Sequence, residues 1–239
     1  MKWLRWTAAA IVALAGCFFL LPERGLSVAA AENVCPPYRH AVNVRFKMLT
    51  PDPIYNHRLN IGGIKNLFLT RGRSISAAHE RALGVTYSEV VFYLEGNTRI
   101  VPRSGGYCVY LETIGAEFGW KRMEVHIARE FPRGTCEYNA VLDHENQHVS
   151  IIRRALNDHA PRLRAELERE LSRQQPLFTR NPQTAADAAV ADLYGRMEGV
   201  VDRFQQMQAP RHAAIDSTKN YGAINDLCPN WEVHMNGEE

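Results

Sequence analysis

The sequence predicts an α+β protein in which an N-terminal antiparallel sheet packs on C-terminal helices. Three observations carry this expectation. Up to about residue 133, apolar and polar residues alternate in short runs bounded by Gly, Pro and Asn, the pattern of half-buried strands. From Gly134 onward, apolar residues recur at spacings of three, four and seven, the period of an amphipathic helix. The composition, 46% hydrophobic and 23% charged over 239 residues, is that of a globular chain long enough to bury its own core.

The chain opens on an export signal. Lys2 and Arg5 precede an uncharged run from Trp6 to Leu21, Pro22 ends it, and Ala29-Ala30-Ala31 offers a cleavage site before Glu32. The run is shorter than the roughly 20 residues that span a bilayer. Leu14-Ala15-Gly16-Cys17 also resembles a lipobox, so lipidation at Cys17 or an uncleaved membrane anchor competes with simple secretion. All three routes put residues 32–239 outside the cytoplasm, in the periplasm or beyond, as one domain with a β-rich part at 35–133 and a helical part at 134–239.

In the β-rich part, Val42, Val44, Phe46 and Met48 alternate ahead of Asp52-Pro53. A strand from Val85 to Tyr93 is expected to turn at Gly96-Asn97 and pair back through Thr98 to Val101. Gly105-Gly106 opens a run from Tyr107 to Ile114, and Met123, Val125 and Ile127 form a further strand. That last strand, read as an edge from Met123 to Glu130, would suit an extended peptide added alongside it. In the helical part, Thr135 is the expected N-cap, and Tyr138, Val141, Leu142, Val149, Ile152 and Leu156 form one stripe. Pro161 and Pro210 mark a bend or restart, and Asn181-Pro182 begins another helix.

Without residues 1–31 the chain carries 25 basic and 25 acidic side chains. Phosphate-backbone binding needs a concentrated basic surface, so nucleic acid is excluded as the expected partner. Cys35, Cys108, Cys136 and Cys228 remain after the signal, an even number that fits two disulfides in an oxidising compartment with three possible pairings. They contain no C-x-x-C pair, which disfavours a zinc ribbon.

The chemistry is concentrated in His144-Glu145-Asn146-Gln147-His148, an H-E-x-x-H sequence inside the expected helix. Four residues make about one turn, so both imidazoles can reach one cation. Zinc lowers the pKa of a bound water to about 7, and Glu145 is placed to take the proton that this water gives up. No G-x-S-x-G, Walker A or dinucleotide fingerprint is present.

This arrangement resembles the zincin metallopeptidases and, among them, a bacterial family described as predicted secreted zinc-dependent proteases. The resemblance runs from about Gly106 to Trp231. It rests on Tyr107-Cys108-Val109, the strand at Met123 to Ile127, Leu142-Asp143-His144-Glu145 with His148, and a downstream helix ending in Ile215-Asp216. It implies a zincin-like fold and hydrolysis of peptide bonds. The family tends to carry a His-Gly pair where this chain reads Tyr221-Gly222.

A catalytic zinc normally has three protein ligands. No metzincin extension follows His148, and Glu166, Glu168 and Glu170 read as solvated partners of neighbouring Arg. His159 would lie about 16 Å along an unbroken helix from His148, too far to share an ion. Asp216 is therefore the first candidate for the third ligand, with His212, four residues earlier, and Tyr221 as rivals. Asp216 has a second possible role, accepting the free N–H of a ligand imidazole. The reading is an exported zinc hydrolase acting on a peptide or protein. The alternative is a catalytically inactive zincin-like envelope protein that binds or scaffolds.

Overall fold

The computed structural model describes residues 34–70 and 82–235. The signal at 1–31, with Cys17 and the alanine site, lies outside the described residues, as does His79. Strands β1 (Asn43–Leu49) and β2 (Ile54–Asn56) precede helix α1 (Ile61–Thr70) and the long strands β3 (Gly84–Arg103) and β4 (Gly106–Ile127). Helix α2 (Cys136–Ser172), strand β5 (Leu177–Thr179) and helices α3 (Pro182–Ile215), α4 (Thr218–Asn225) and α5 (Trp231–Met235) follow.

The fold is mixed α/β, and its sheet corrects the antiparallel expectation. β4 lies at the centre. β3 pairs antiparallel along its length, but β1 and β2 run parallel to it, Asn43 opposite Thr113 and Ile54 opposite Glu124. β5, β1 and β2 line up end to end on one edge of β4, at Tyr107–Val109, Thr113–Gly119 and Glu124–His126 respectively. Alternation of side chains reports which face is buried and is blind to strand direction. The break between β1 and β2 contains Pro51 and Pro53, which have no N–H to donate to a ladder.

Two further expectations change. The chain does not turn at Gly96-Asn97. β3 continues through it with a register shift at Asn97/Thr98, and the reversal comes at Ser104-Gly105, where Gly105 has φ 77°. Gly96 serves a close approach instead, since a Cβ there would lie 2.6 Å from Val190 Cγ2 on α3. The segment Met123–Ile127 is not an edge either, because β2 flanks it on one side and β3 on the other. Among the described residues, no strand pairs with the outer side of β3.

The helical part starts where expected, but Pro161 and Pro210 do not restart it, and the short strand β5 interrupts it. Thr135 caps α2, accepting the Tyr138 N–H at 3.2 Å on Oγ1, and both α2 and α3 run through their internal prolines. α3 returns antiparallel to α2, as the contacts Glu170 with Arg196, His159 with Phe204 and His148 with His212 show in succession. Phe118, Met123, Val125 and Ile127 from β4 meet Val149, Ile152, Leu156 and Phe204 from the two helices in one buried core. The sulfurs pair as Cys35–Cys108 and Cys136–Cys228. Disulfides of this kind suit an oxidising compartment. Among the described residues, no helix is long and apolar enough to cross a membrane.

Candidate metal centre

Helix periodicity and the return of α3 together build the site. His144 and His148 lie one turn apart on α2, their rings nearly perpendicular with centroids 5.0 Å from each other. His144, Glu145 and His148 form a group able to hold a metal ion, with donor atoms all within 4.8 Å. His144 and Glu145 are buried at 4% and 3% exposure, an expensive position for polar groups that lack a compensating partner.

Asp216 arrives from the far end of α3. It caps that helix, its N–H bonded to the His212 carbonyl at 3.0 Å. Its Oδ1 lies 3.0 Å from His148 Nε2 and 3.3 Å from His144 Nε2. Two donors on a tetrahedral zinc stand about 3.3 Å apart when each is about 2.0–2.1 Å from the ion. Both His144 ring nitrogens are buried without a hydrogen-bond partner. An orphaned imidazole nitrogen turned toward a carboxylate oxygen, at the separation two ligands would have, fits a bound cation. Burial alone would push the Asp216 carboxyl up, but His144 and His148 outweigh it and hold the group well below the usual carboxylate range.

The two rivals stand one step back. His212 Nδ1 is 2.8 Å from His148 Nδ1, with the rings edge to edge, 24° from parallel and their centroids 5.0 Å apart. A neutral His148 has one ring proton. With an ion bound, placing it on Nδ1, donated to His212, would leave Nε2 as a lone pair for that ion; without one, Nε2 is the atom that faces the Asp216 carboxylate. Tyr221 donates its hydroxyl to Asp216 Oδ1 at 3.2 Å. Burial, then the Asp216 and Glu145 carboxylates, raise its pKa, so it stays a protonated donor in the metal-free protein.

Glu145 is held from the sheet. Thr86 on β3 donates to its Oε2 at 2.8 Å. Burial raises the Glu145 pKa, and the His148 and His144 imidazoles and the Thr86 hydroxyl oppose that rise. β3 passes so close here that a Cβ on Gly84 would meet Val141 Cγ1 at 2.7 Å and Glu145 Oε1 at 2.8 Å. Neither Thr86 nor Gly84 is among the residues the sequence singled out. Their role depends on a strand-to-helix contact about 60 residues apart in the chain, which no local pattern announces. Glu168 pairs with Arg164 on a solvated face as expected and Glu166 pairs with Arg169, whereas Glu170 sits at the α3 contact, bridging Arg173 and Arg196.

Beside His144 and Glu145 opens a cavity of about 670 Å³, walled also by α4 and α5. No family model, curated protein or solved structure matches this chain.

Proposed function

We propose that the protein is an exported zinc-dependent hydrolase that cleaves peptide bonds, in line with the zincin resemblance of its H-E-x-x-H helix. One observation carries the reading: Asp216 Oδ1 within 3.0 and 3.3 Å of the two imidazole Nε2 atoms, with Glu145 on the same helical turn. His144, His148 and Asp216 would hold the ion. Zinc, when bound, supplies Lewis acidity and lowers the pKa of a water to about 7.

This chain's own residues do the rest. Glu145, with Oε2 tied to Thr86, keeps Oε1 as the atom that accepts a proton from water and returns it to the leaving amine. His212 holds the His148 ring in one tautomer, and Tyr221 gives its single O–H to Asp216 Oδ1, which orients that carboxylate. The outer side of β3 at Gly84–Ser88, next to Glu145, takes the peptide-pairing role first expected of Met123–Glu130.

Purified protein is expected to retain about one zinc per chain through dialysis and to lose it in His148→Ala. Glu145→Gln should keep the metal while peptide hydrolysis falls about 10²–10⁴-fold. A wild type without metal, or a Glu145→Gln variant that cleaves at the wild-type rate, would overturn the reading.

A further inference from the structure

We propose that the 670 Å³ cavity beside His144 and Glu145 is a binding pocket for a bulky apolar side chain of the peptide, with Ile224, Trp231 and Met235 setting its selectivity. The inference rests on the hydrolase reading only for placing that side chain next to the cleaved bond.

The cavity is of a size that takes small organic groups and far larger than an alanine methyl needs. Leu83 and Val141 line it from the sheet side and from α2, and Ile224, Trp231 and Met235 from the C-terminal helices. The Trp231 Nε1–H is already donated to the Asn225 carbonyl at 2.9 Å, which leaves its ring to offer apolar contact. The carboxylates of Glu145 and Glu232 at the wall disfavour an acidic side chain. Glu145 is engaged by Thr86, and most of the contact surface comes from Leu83, Val141, Ile224, Pro229, Trp231 and Met235, so an apolar group gains the most.

The outer wall is fixed in place, as a selective pocket requires. Cys136–Cys228 ties it to the first turn of α2, and Glu137 on that turn accepts the Asn230 N–H at 2.9 Å. Trp231 packs edge-on against Phe131, with ring centroids 5.5 Å apart. Gly222 lies on the α4 wall, where an added Cβ meets open space, so a larger residue there narrows the cavity without a clash at its root.

The test is an NMR titration of the intact, disulfide-bonded protein with acetyl-Gly-Gly-X-Gly-Gly-amide, where X is Phe, Ala or Arg. Cleavage is followed in parallel by mass spectrometry. The Phe peptide is expected to bind at least about tenfold tighter than Ala, a difference typical of filling an apolar pocket. Arg should bind no tighter than Ala. Gly222→Phe should erase the Phe preference and Gly222→Ala should keep it. Equal affinities, a preference for Arg, no measurable binding, or a Phe preference that survives Gly222→Phe would each overturn the pocket. Selective binding of Phe without any cleavage would uphold the pocket and sink the hydrolase reading instead.

Discussion

Helix α2 buries histidines at two places, and they are treated in opposite ways. At its N-terminal end, His144 and His148 face Asp216, His212 and Tyr221, so the imidazoles belong to a polar cluster. Farther along the same helix, His159 is wedged between Phe118 and Phe204, 6% exposed, with both ring nitrogens buried. One residue type on one helix thus serves as a candidate ligand at one end and as core filling at the other. The partners that α3 delivers opposite each position decide which.

The largest expected effect falls on the frame around the polar end. Replacing Cys136 and Cys228 together by Ser opens a loop with a sequence separation of 92, for which the chain-entropy model gives a loss of about 4–5 kcal/mol. Urea unfolding under non-reducing conditions measures it. A loss below 1 kcal/mol would mean that the wall of the cavity is held by packing alone.

Next comes the support of His148. His212→Ala removes the group that sets its tautomer, and zinc affinity is expected to fall about 10–100-fold. Competition with a chromophoric chelator reads this directly, and an unchanged affinity would leave His212 as packing, no different in kind from His159.

The smallest effect belongs to His159. Burial lowers its pKa, outweighing the Val200 backbone that opposes the shift, and Arg162 and Arg203 add to it, so the folded protein favours the neutral ring where the unfolded chain would protonate it. Stability is therefore full above the ordinary value of 6.5 and is lost as pH falls below it, down to the depressed folded value. His159→Leu should remove that slope and change stability by no more than about 1 kcal/mol at pH 7, because an apolar side chain suits a site walled by Phe118 and Phe204. Thermal unfolding at several pH values checks both parts. A variant with the wild-type slope would exclude His159 as its source.

How much of this was legible in the chain depends on the range of the interaction. The α2 start at Thr135, its apolar stripe and the H-E-x-x-H spacing are local and could be read directly. Asp216, His212 and Tyr221 could be shortlisted from donor chemistry and the family resemblance. Their division into one carboxylate near both Nε2 atoms and two supporting groups needed the antiparallel return of α3. Strand direction was hidden, because Val44, Phe46 and Met48 alternate in the same way whether β1 runs with β4 or against it. Gly96-Asn97 looked like a turn because Gly and Asn serve turns, and the contact with Val190 that explains the glycine is non-local.

The return of α3 has a temporal consequence. His148 and Asp216 are 68 positions apart, whereas His144, Glu145 and His148 lie within one stretch of α2. Under the proposed ligand set, tight capture would require both helices in place. Metal uptake, followed in time during refolding, would then serve as a clock for the last step of assembly.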